Sequence, residues 1–176
     1  MNRRLALCSL MAVLAATAVL SAESLRIVPL VTDRQVLVSF EMNDVYTDDV
    51  REVISSGLRT TFTYDIELRM LVPAWVDRVI ATSTVVMSDE YDNLTRRHSL
   101  TRTVDGRIED AEVTEDDAVV GRWLTRINRL PLCPTTKLEK NRDYYVRISG
   151  RQRPQRASTF GWVSKFTGQT KFTFIP

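Results

Sequence analysis

Thr61-Phe62-Thr63-Tyr64-Asp65-Ile66-Glu67-Leu68-Arg69-Met70 sets five apolar side chains at every second position and polar ones between them. A period of two over this length describes a strand with one buried and one wet face. Such an amphipathic strand suits an antiparallel sheet, because strands of a parallel sheet are buried on both faces and lose the polar alternation. The stretch therefore predicts a sheet that covers a core on one side only.

Working outward, the same alternation recurs. In Gln35–Asn43, Val36, Val38, Phe40 and Met42 share a face. Val79–Tyr91 is β-branched and threonine-rich, and Leu94–Val104 follows Asp92-Asn93, so the pair reads as a hairpin turning at those two residues. Asp105-Gly106 is a second turn into Arg107–Val113. Leu25–Val31 and Asp143–Ser149 complete the regular strands, and Lys171–Ile175 is a candidate last edge strand. Two helices interrupt the strands. The first is expected over Asp48–Ser56, with Thr47 as N-cap and Gly57 as its stop. The second is expected to start after Thr114 and run to about Arg129, burying Val119, Val120, Trp123, Leu124 and Ile127. The fold class is mainly β (α+β): an antiparallel sandwich or strongly curved sheet of about seven or eight strands, with two short helices packed on it.

The two ends of the chain read differently from the middle. Met1-Asn2-Arg3-Arg4 is a basic start, Leu5–Leu20 an uncharged and mostly apolar run, and Ser21-Ala22 a pair of small residues before Glu23. That order is the layout of a secretory signal peptide, and the run is short for a membrane span. Residues 1–22 are expected to be removed, with the small pair Ala16 and Ala18 as a second cleavage candidate. Residues 23–153 then form the β-rich domain with its two helices, and 154–176 a basic-aromatic tail in which Arg156, Lys165 and Lys171 are interleaved with Phe160, Trp162, Phe166, Phe172 and Phe174.

Charge is divided along the chain. Residues 41–117 hold 18 acids and 8 arginines, whereas residues 118–176 hold 12 basic residues and 2 acids. Either the halves neutralise each other in the fold, or the split steers a partner or an anionic surface.

Familiar reaction chemistry is scarce in these residues. His98 is the only histidine, and once Cys8 leaves with the signal peptide Cys133 is the only cysteine. A zinc site built on the two is not expected, nor is a serine–histidine–acid triad, since no nucleophile motif surrounds any serine. His98 reads as a surface or partly buried strand histidine, and Cys133, between Pro131 and Pro134, as a buried thiol. Asp89-Glu90-Tyr91-Asp92-Asn93 gathers oxygen ligands near a hairpin tip but lacks the spacing of a known calcium loop. No catalytic residue, metal or cofactor is assigned.

Two features point to binding. Arg122, Arg126 and Arg129 are spaced i, i+4, i+7 and would share one face of the second helix. Arg151, Arg153, Phe160 and Trp162 would form a basic-aromatic arm suited to a partner or a membrane surface.

Ser56-Gly57-Leu58 running into Phe62–Leu68, Tyr91-Asp92-Asn93-Leu94-Thr95, the Trp123 helix leading into Leu130-Pro131-Leu132, Tyr144-Tyr145-Val146-Arg147, and Phe172-Thr173-Phe174-Ile175-Pro176 follow one another along the chain. In that order they resemble a family of exported bacterial proteins known as domain of unknown function 4390. The resemblance implies export, to the periplasm or beyond, and a shared architecture, with a link to envelope signalling; it carries over no catalytic residue. The expected function is a non-enzymatic protein-interaction module of the cell envelope, using strand edges and the arginine face. The alternatives are a carrier or membrane-surface binder of an apolar or anionic lipid, and a hydrolase built on acid residues alone. Export argues against nucleic acid.

Overall fold

The computed structural model describes residues 25–43, 45–154 and 164–175. The expected signal peptide, Phe160 and Trp162 lie outside them.

Among the described residues, nine strands form two antiparallel sheets. The smaller has the order β1-β2-β7, from β1 (Leu25–Val31), β2 (Gln35–Met42) and β7 (Arg126–Pro134). The larger has the order β6-β5-β4-β3-β8-β9. Its strands are β3 (Thr60–Met70), β4 (Arg78–Asp92), β5 (Arg97–Val104), β6 (Arg107–Thr114), β8 (Arg142–Pro154) and β9 (Ser164–Phe174). Helix α1 (Asp48–Ser55) and helix α2 (Asp117–Thr125) pack beside β4 and β5. The architecture is mainly β and consistent with a sandwich, as the alternation requires.

β3 is the spine of the larger sheet. Phe62, Tyr64, Ile66, Leu68 and Met70 are all buried, facing Val36, Val38 and Phe40 of the smaller sheet and Tyr144, Val146 and Ile148 of β8 in one apolar core. Tyr64 sits at its centre, its ring 5.0 Å from that of Phe40 and 5.9 Å from that of Phe166. The Tyr64 hydroxyl donates to the Leu124 carbonyl at 2.5 Å, which satisfies one of the open carbonyls at the end of α2 and ties that helix to the sheet.

The local signals around α1 hold in detail. Thr47 accepts from the Val50 amide, Asp48 and Asp49 fill the first turn, and Gly57 follows at φ +80°. Asp105 and Gly106 both adopt positive φ in the β5–β6 turn. At the β4–β5 turn the chain departs from expectation. Asp92 Oδ1 accepts from the Leu94 amide at 2.8 Å, and the left-handed residue is Arg96, not Asn93. The turn is therefore longer than two residues, and Asp92 pairs with Arg97.

The second helix is the main correction. It ends at Thr125, and Arg126 opens β7 with extended backbone angles. Pro131 and Pro134 cannot sit inside a helix but are tolerated on an edge strand. The apolar spacing that suggested a longer helix has another cause. One extra residue lies between Ile127 and Leu130, and another between Pro131 and Cys133, relative to the partner strand β2. Two bulges thus spread the inward side chains Ile127, Leu130 and Cys133 to every third position, which mimics helical spacing. Cys133 is free and buried there, and burial pushes its thiol pKa up.

Candidate functional site

The arginines singled out in the sequence do not form one face. Arg122 lies on α2, whereas Arg126 and Arg129 lie on the bulged strand β7. Arg126 is paired with Glu41, and Arg129, at φ +52°, donates its backbone amide to Ser39 Oγ at 3.0 Å. The i, i+4, i+7 stripe dissolves because the helix stops before its second member. Arg151 is exposed on β8, 3.5 Å from Asp65 Oδ2, and Arg153 is also on β8. The oxygen groups of Asp89–Asn93 are divided as well: Asp89 is buried, Glu90 lies on the opposite face of β4, and Asp92 is spent on its own turn.

What the fold brings together instead is an open strand edge beside an apolar knob. β5 pairs with β4 only over Val85–Asp92, so Arg78–Thr84 of β4 runs on past it. Asp105 closes the end of that overlap, its amide donating to the Thr84 carbonyl and its carboxylate accepting from the Thr84 amide at 2.8 Å. Thr84 therefore points its backbone groups toward the β5 side. Two residues earlier, Thr82 must do the same, because backbone direction alternates along a strand. The edge Val79-Ile80-Ala81-Thr82-Ser83 carries no charge.

The other edges are guarded. β6 holds Arg107, Glu109, Asp110 and Glu112, β7 holds two prolines and two bulges, and β1 leans on β9, where Thr170 Oγ1 donates to the Ile27 carbonyl. Charge, proline and coverage are the usual means of blocking strand addition. The β4 segment has only a single bulge at Ile80.

The knob stands at the near end of that edge, in the β3–β4 connection. Trp75 and Val76 are 81% and 77% exposed. They are not on a loose loop. Asp77 accepts from the Val72 amide and, at 2.9 Å, from the Tyr145 hydroxyl, while the Trp75 amide donates to the Val72 carbonyl. Trp75 and Val76 are thus held in water by a hydrogen-bonded turn and take no part in the core.

At the opposite end of β4 a groove of about 590 Å³ is lined by Arg51, Ser55, Tyr91, Arg96, His98 and Asp117, among others. Its floor is a buried pair, with His98 Nδ1 2.8 Å from Asp89 Oδ2. Burial pushes the Asp89 pKa up, against the opposing pull of His98. A carboxyl whose pKa is higher in the folded than in the unfolded state adds stability at low pH. That contribution is lost as pH rises through the folded value. Asp89→Asn keeps an acceptor for His98 and removes the titration. The stability of the native protein relative to this variant should therefore fall as pH rises above the ordinary carboxylate value of about 4. Urea denaturation of both proteins over that rise in pH checks it, and a parallel pair of curves would refute it.

The sequence contained a signal for this pair. Val85, Met87, Asp89 and Tyr91 alternate onto one face, so a carboxylate on the buried side of β4 needed a partner. Neither Trp75 nor the β4 edge had such a signal, because the edge depends on where β5 ends and the exposure of Trp75 on the turn between Val72 and Asp77.

A family model described as "Domain of unknown function (DUF4390)" matches residues 19–157, which span β1 to β8. No curated protein and no solved structure matches the chain.

Proposed function

The chain belongs to the domain of unknown function 4390 family, and from the geometry above we propose that it is a non-enzymatic protein-docking module of the bacterial cell envelope. An extended segment of a partner adds as a strand to β4 between Arg78 and Ser83, and an apolar side chain of that segment packs on Trp75 and Val76. The observation that carries this reading is the uncharged edge, unpaired among the described residues, next to an exposed tryptophan on a hydrogen-bonded turn. Main-chain hydrogen bonds supply affinity in such complexes, and side-chain pockets supply selectivity.

Trp75→Ala with Val76→Ser tests the anchor. Both side chains are in water in the free protein, so stability should change by no more than about 0.5 kcal/mol. Crosslinked affinity capture from intact envelopes should lose about tenfold or more of the partner, as truncation of a central aromatic anchor does. Equal recovery of the same partner by native and variant proteins would remove the knob from the interface.

A further inference from the structure

We infer that the outward face of the larger sheet carries a binding site for a phosphate group, separate from the β4 edge. A depression of about 590 Å³ lies over β8, β3, β4 and β5, lined by Arg59, Thr61, Thr63, Val86, Ser88, Thr103 and Arg151. Strand register explains the lining. Arg151, Thr63, Val86 and Thr103 are successive partners across four strands, and Thr61 faces Ser88 in the next row. Lys165 of β9 stands opposite Arg151 on the same face. The volume suits a small ligand.

The chemistry of the lining selects its ligand. It holds two guanidinium groups and four hydroxyls and no carboxylate, whereas the groove above His98 is lined by Glu52, Glu115 and Asp117. Arg59 is held in place by donating to Ser88 Oγ at 3.1 Å, and among the described residues it has no carboxylate within ion-pair distance. Asp65, which pairs with Arg151 at 3.5 Å, lies outside the lining, and its Oδ1 also accepts from Thr84 Oγ1. Thr61, Thr63 and Thr103 donate to no acceptor among the described residues, so their hydroxyl protons are available. Two forked cations and four hydroxyls lining one depression match the acceptor oxygens of a phosphate ester. A neutral sugar would leave the Arg59 guanidinium charge unmatched.

Titrating the protein with inorganic pyrophosphate at constant ionic strength, by calorimetry and by amide chemical shifts, tests the site. Binding is expected, with shifts confined to β3, β4, β5 and β8. Arg59→Gln and Arg151→Gln should each weaken it about tenfold, the scale of one lost charge-assisted hydrogen bond. Lys140→Gln, an equal change of net charge in the turn before β8, should leave it unchanged. Adding phosphatidylglycerol vesicles separates the sources. Vesicle binding displaced by pyrophosphate assigns the phosphate to a lipid headgroup, and absence of vesicle binding assigns it to a soluble ester; both uphold the site. No binding of pyrophosphate, or equal weakening by Lys140→Gln, overturns it.

Discussion

Alanine at Gly150 lowers the stability of the domain by about 3 kcal/mol and does so through Phe166. Gly150 lies on β8 between Tyr64 of β3 and Phe166 of β9 in one cross-strand row. A Cβ built on it would fall 1.6 Å from Phe166 Cζ, closer than any real contact. The phenyl ring occupies the space a side chain would take and reaches over the strand to Tyr64. Glycine is there for that close approach, since its backbone angles are not in the left-handed region. A methyl group must push the ring out. The loss combines overpacking with the aromatic contact, and it falls on the edge strand that sits under β1. Leu25, itself within contact range of β9 at Gly168, would be disturbed next. Chemical denaturation should show the full loss in the single variant. In a Phe166→Ala background the same substitution should cost less than about 1 kcal/mol, because the obstructing ring is gone. Equal costs in the two backgrounds would show that the ring is not what glycine accommodates.

The β3 stretch announced its sheet because every second side chain meets the core, with no bulge along its pairing to β8. α1 was legible for a different reason, since Thr47, the two aspartates and Gly57 each serve a backbone group at the helix ends. Two departures came from irregular backbone. The bulges of β7 turned a period of two into one of three and made Ile127 look helical. The longer β4–β5 turn shifted that hairpin. A two-residue turn at Asp92-Asn93 would set Tyr91 against Leu94, whereas Tyr91 faces His98. That shift of four residues uncovers the lower part of β4. The candidate docking edge is a consequence of turn geometry, which the strand pattern alone does not encode. It also places Asp89 and His98 close enough to pair. The arginine stripe failed for a related reason: periodicity gives a face only while the helix lasts.

Thr82→Pro should abolish partner capture while leaving the fold in place, a loss of about a hundredfold in apparent affinity. Thr82 is paired with Glu67 of β3 by register, but its own amide points away from β3, as the Thr84 contacts with Asp105 establish two residues on. Proline at this position removes no bond from the β3–β4 ladder. It deletes the one donor that an added strand would use at that point, and its ring occupies the line along which that strand must approach. Proline also tolerates an edge position, and it biases the preceding residue, Ala81, toward the extended angles it has already. Thr82→Val serves as the control, because it changes the side chain and keeps the amide. Native protein and Thr82→Val should capture the same partner equally, Thr82→Pro none, and urea midpoints should agree within the error of the fit. Combining Thr82→Pro with Trp75→Ala should then cost little further, since the anchor has no strand to hold. Undiminished capture by Thr82→Pro would mean that the partner does not add to the β4 edge. The docking reading would then rest on the Trp75 knob alone.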